Sequence, residues 1–108
     1  MNEIELQDIL NENIMDFSDI VEELVELYAE KNRRYGNSFS NQFKEFGIIC
    51  SAIRLNDKME RLKSLVKNPQ DCGDEPIEDT LKDMANYAIM TLIELKRKNW
   101  GDRWNGRL

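Results

Sequence analysis

The sequence predicts an all-α protein: a bundle of three long helices preceded by a short one. Apolar residues recur at helical spacing in several separate stretches, and no stretch shows strand-like alternation. Turn-forming residues gather at two places, Arg34–Ser40 and Asn68–Pro76, where they divide the helical stretches. At 108 residues the chain fits one domain spanning 1–108.

From the N-terminus, a short first helix is expected over about Glu3–Asn11, with Ile4, Ile9 and Leu10 as its apolar contacts. Asp16 or Ser18 is a candidate cap for a second helix running to about Arg33. Its apolar set is Ile20, Val21, Leu24, Val25, Leu27 and Tyr28, with Glu22, Glu23, Glu26 and Glu30 on the other side. Gly36 and Asn37 favour a break, and Ser38 or Ser40 is placed to cap the next helix. That third, long helix is expected from about Asn41 to Val66, with Gly47 as a point of bending. Asn68–Pro76 reads as a loop. Pro76 suits the first turn of a last helix ending near Lys98. The tail, Asn99–Leu108, carries Trp100 and Trp104 and is expected to be irregular.

The last helix has an unusual pattern. Asp79, Asp83 and Asn86 fall within about 60° of one another. Ile77, Leu81, Met84, Ala85, Ala88 and Leu92 form an opposite side expected to face the core. From Met84 onward the helix is apolar nearly all round, the pattern of a buried helix. Asp83 and Asn86 enter that region, and a buried carboxylate needs a partner. So much apolar surface exceeds what a three-helix monomer covers, so a homodimer or homotetramer is expected.

Composition narrows the chemistry. The net charge of −6 argues against broad nucleic-acid or anionic-membrane binding. No apolar run approaches the roughly 20 residues of a membrane span. The acidic start, MNEIELQDILNENI, is unlike a signal peptide, so the expected compartment is the cytoplasm. Cys50 and Cys72 read as free thiols rather than a disulfide framework. Histidine is absent, which removes His-based zinc sites, triads and acid–base chemistry. Carboxylates, Lys, Arg, Tyr or a bound metal remain.

Two acidic faces and one basic face are candidates. Glu23, Glu26 and Glu30 share a face of the second helix, as Asp79, Asp83 and Asn86 do on the last. Two such helices together would make an oxygen-rich site suited to Mg²⁺ or Mn²⁺. Arg54, Lys58 and Arg61, at i, i+4 and i+7, form a basic line that would suit phosphates. Lys31 and Tyr35 add a cation and a ring at a helix end, where the ring could stack on a base. Each feature also has an ordinary structural reading: a solvated acidic face, a salt-bridged basic face, a hydrogen-bonded polar line.

Three blocks together, KNRRYGNSF (Lys31–Phe39), IRLNDKMERLKSL (Ile53–Leu65) and EDTLKDMANYAIM (Glu78–Met90), resemble the phage and bacterial family called nucleotide-modification-associated domain 1. The resemblance covers about Glu22–Leu95. More widely, the ExxE helix and the later carboxylate helix look like the all-α MazG-like and dimeric dUTPase group of nucleoside triphosphate pyrophosphohydrolases. That similarity implies Mg²⁺ held by Glu23, Glu26, Asp79 and Asp83, with water attacking a triphosphate. Lys31, Arg54, Lys58 and Arg61 would then hold phosphates, and Tyr35 and Asn86 would lie near the base or sugar. The expected activity is Mg²⁺-dependent hydrolysis of (deoxy)nucleoside triphosphates or modified nucleotides. Two alternatives stay open: a non-catalytic phage factor that binds or sequesters a nucleotide, and a protein-interaction factor.

Overall fold

In the computed structural model, residues 1–72 and 76–97 are described, with Asp71 and Cys72 described in backbone only. The Trp100 and Trp104 tail and the Cys72 thiol, for which the sequence raised expectations, lie outside the described residues. Four α-helices account for most of the described chain: α1 (Glu3–Tyr35), α2 (Ser38–Phe46), α3 (Ile49–Lys67) and α4 (Ile77–Lys96). A single 3₁₀ turn, Pro69–Cys72, comes after α3. No strand occurs among the described residues. No described helix is long and apolar enough to cross a membrane. The chain divides into two compact units, Met1–Gly36 and Asn37–Leu108.

The first unit is one helix of 33 residues. The two helices expected over Glu3–Asn11 and Ser18–Arg33 are therefore continuous. Residues 12–17 contain neither Pro nor Gly. Asp16 and Ser18 cost only a few tenths of a kcal/mol each inside a helix, too little to break it. The cap lies earlier, at Asn2. Its side-chain oxygen accepts from the Glu5 N–H at 2.8 Å, while its Nδ2 donates to the Glu5 carboxylate at 3.3 Å. At the other end Arg33 pairs with Glu30. The helix stops at Gly36, whose φ of 64° and ψ of −143° suit glycine alone.

The second unit starts with a correction to the third helix. It is two helices, α2 and α3, broken at Gly47, where φ is 78° and ψ −162°. A bend inside a continuous helix keeps helical dihedrals, and Gly47 does not. Ser38 and Ser40 lie inside α2 rather than capping a helix from Asn41. The break lets α2 turn its aromatic side inward. Phe39, Phe43 and Cys50 form the buried centre, with Ile48, Tyr87, Met90 and Leu95 packed against it. The Phe39 ring lies 6.2 Å from Phe43 and 6.1 Å from Tyr87, both tilted.

Helices α3 and α4 make the most extensive contact in this unit. Pro76 caps α4 with extended dihedrals, and Glu78 and Asp79 fill the first turn, where carboxylates suit the helix dipole. The face that α4 buries differs from the expected one. Leu81, Ala88 and Leu92 are exposed, while Thr80, Asn86, Thr91 and Glu94 are buried. Apolarity alone assigned the wrong side, because the polar side chains of α4 meet matching polar groups elsewhere in the unit.

Candidate functional site

The polar side chains between α3 and α4 form an antiparallel ladder. At one end Thr91 Oγ1 lies 2.7 Å from both Ser51 Oγ and the Tyr87 carbonyl oxygen, and its one proton serves one of these hydrogen bonds at a time. One turn on, Arg54 donates to the Tyr87 hydroxyl at 3.3 Å. A further turn on, Lys58 Nζ lies 2.9 Å from Asp83 Oδ2. Ser51, Arg54 and Lys58 ascend α3 as Thr91, Tyr87 and Asp83 descend α4. Spacings of three and four bring each set to one face of its helix. Beyond Thr91, the Ser40 hydroxyl on α2 donates to Glu94 Oε1 at 2.6 Å, and Arg97 lies 2.8 Å from the same oxygen.

Arg54 anchors the middle of the ladder. Its guanidinium carbon lies 5.6 Å from the centre of the Phe39 ring and 5.5 Å from that of Tyr87. It also donates to the Gln42 side-chain oxygen. A planar, multiply donating cation suits this position, because it stacks and bonds at once.

Beside the ladder opens a groove of about 510 Å³. One end is apolar, with Phe46, Ile49 and Ile53. The other is charged, with Asp57 and Lys58. Gln42, Cys50, Arg54 and Tyr87 complete the lining. From Ile49 to Lys58 the groove runs along α3 for about 13 Å. Its size is that of small-molecule sites, and an apolar floor with a few fixed polar groups is their usual chemistry. The charged end is partly sheltered: the Lys58 and Asp83 side chains are 26% and 11% exposed. Cys50 is a free, buried thiol at the floor.

Of the residues singled out in sequence, Arg54, Lys58 and Asp83 come together. Arg61 is half-buried further along α3 and is not part of the groove lining. Asn86 is buried on α4, and Asp79 is exposed in its first turn. The line of Asp79, Asp83 and Asn86 is thus divided among three environments. Glu23, Glu26, Lys31 and Tyr35 are exposed positions on α1, in the first unit. In the second unit, among the described residues, no group of three or more Cys, Asp or Glu could hold a metal ion.

Sequence reasoning missed Tyr87, Gln42 and Phe39. Tyr87 had a signal, since it stands four residues after Asp83 on the same helix face. Phe39 read as a residue beside a turn, and nothing local marks Gln42, because the break at Gly47 is what turns α2 toward Arg54.

No curated protein and no solved structure matches the chain. A family model does match, described as nucleotide modification associated domain 1, over residues 31–95. The matched segment includes the whole groove, with Arg54, Lys58, Tyr87 and Asp83, and begins after Glu23 and Glu26. With more than half of its length in that match, the chain belongs to the nucleotide modification associated domain 1 family.

Proposed function

We propose that the chain is a nucleotide-binding protein of nucleotide metabolism or modification, and that the groove beside α3 is its ligand site. The observation that carries this reading is the polarity of the groove. An apolar end suited to a base lies up to about two and a half helical turns along α3 from Lys58, an ammonium suited to a phosphate. Tyr87 and Arg54 supply a ring and a planar cation between them. The family's description agrees with a nucleotide ligand.

The finer reading is Mg²⁺-dependent pyrophosphohydrolysis of a (deoxy)nucleoside triphosphate, as in MazG-like enzymes. Its support is the pattern of Glu23 and Glu26 with Asp79 and Asp83. A bound Mg²⁺ would supply an activated water and offset phosphate charge. The second unit by itself brings two of these four carboxylates, and Lys58 already neutralises one of them. That is short of the oxygen set such an ion takes, so the metal-dependent reading requires Glu23 and Glu26 as well. The Lys58–Asp83 pair favours a second reading, non-catalytic binding by a phage or bacterial factor. In that case an incoming phosphate takes Lys58 from Asp83.

A panel of nucleoside mono-, di- and triphosphates, with and without Mg²⁺, tests both readings by calorimetry and product chromatography. Binding is expected for at least one nucleotide, weakened about tenfold or more by Lys58→Ala, equivalent to about 1.4 kcal/mol. Under the enzymatic reading, Mg²⁺-dependent release of pyrophosphate disappears in Asp83→Asn. Under the binding reading, Asp83→Asn tightens nucleotide binding, because it removes the carboxylate charge that competes with a phosphate for Lys58. A panel with no binding and no turnover overturns both.

A further inference from the structure

The groove uses none of α1, and α1 carries a separate pattern. In a helix of 33 residues, large side chains recur at alternating intervals of four and three, from Leu6 through Leu10, Asn13, Phe17, Ile20 and Leu24 to Leu27. That is the seam of a coiled coil. Its first half is open: Leu6, Leu10, Asn13, Phe17 and Ile20 are all exposed, Phe17 at 73%. The first thirty residues also hold Glu3, Glu5, Asp8, Glu12, Asp16, Asp19, Glu22, Glu23, Glu26 and Glu30, and no Lys or Arg. At 100° per residue, all of these except Glu3 lie on one arc of about 120° outside the seam.

We infer that the first half of α1 pairs with α1 of a second copy, in parallel and in register, making the protein a homodimer. Charge and polarity select this occupant. With the seams together, the two acidic arcs point outward, away from each other. In a parallel pair, the seam-flanking Asp16 of one copy faces Val21 of the other, so no two carboxylates oppose across the interface. An antiparallel pair would set acidic flanks against each other. The acidic arc also repels an anionic lipid surface. Asn13 supplies the self-complementary element. A single amide in an apolar seam requires a partner that both donates and accepts, and an identical amide across a two-fold axis is such a partner. One polar position of this kind also fixes register. The pairing is independent of the nucleotide reading, since none of its residues lines the groove.

The test uses the full chain. Sedimentation equilibrium is expected to give a dimer, and Phe17→Asp a monomer. Because Phe17→Asp also weakens the helix itself, cysteine crosslinking provides a second readout. Under a mild oxidant, Asn13→Cys is expected to form a disulfide-linked dimer rapidly. Asp19→Cys, on the acidic arc, is expected to stay largely monomeric on denaturing gels. A wild-type monomer at about 100 μM, well above the dissociation constants of specific dimers, overturns the proposal. So does equal crosslinking at positions 13 and 19. A dimer that crosslinks at neither position overturns the parallel register.

Discussion

Lys58 and Asp83 show how a polar line survives inside a helix pair. An unpartnered carboxylate at 11% exposure would be costly, and the ammonium 2.9 Å away offsets much of that cost. Breaking the pair from one side therefore differs from removing both groups. Lys58→Met is expected to destabilise by about 2 kcal/mol, because the partly buried Asp83 carboxyl loses the ammonium beside it. Lys58→Met with Asp83→Asn is expected to cost less than the sum of the single changes, with a coupling of about 1–2 kcal/mol in urea denaturation. Strict additivity would mean that the pair contributes nothing to folding. Glu94 extends the same logic. It is 2% exposed, and Ser40 and Arg97 hold one of its oxygens.

At the scale of elements, Gly47 is decisive. Were it a flexible point inside a helix, Gly47→Ala would stabilise the protein by about 1 kcal/mol, the propensity difference between the two residues. At a φ of 78° and ψ of −162°, alanine is strained. The same substitution is therefore expected to destabilise by about 2 kcal/mol, a difference of sign that a thermal melt reads directly. The helical stretches themselves were legible in the sequence, because apolar spacing and turn residues are local properties. Boundaries were less so. Asp16 and Ser18 resembled caps, but a capping residue ends a helix only where the backbone turns away. Asn2, three residues before Glu5, was the cap that forms.

At the scale of the whole molecule, charge is divided along the chain. Residues 1–30 carry ten carboxylate side chains and no Lys or Arg, and all 15 Lys and Arg residues come after them. If α1 pairs across a two-fold axis, the outward acidic arcs still repel at long range. Added salt screens that repulsion without weakening the apolar seam. Raising salt from about 20 mM to about 500 mM is thus expected to tighten the dimer several-fold in sedimentation experiments, as the Debye length falls below the spacing of the arcs. A dimer loosened by salt would place ion pairs, not apolar contacts, at the interface.

The sequence by itself determined that the fold is all-α, that Gly36 ends the helix carrying Glu23 and Glu26, and which family the chain resembles. These rest on local periodicity, turn chemistry and short motifs. It also marked Asp83, because a charge within an apolar stretch stands out along a single helix, and Arg54 and Lys58, because they belong to a basic line at helical spacing. Only the tertiary structure decided which face of α4 is buried. The buried side is the polar one, because Ser51, Arg54 and Lys58 on α3 match Thr91, Tyr87 and Asp83 rung by rung. A hydropathy pattern records what each residue prefers on average. It carries no information about a partner 25–40 positions away that changes that preference.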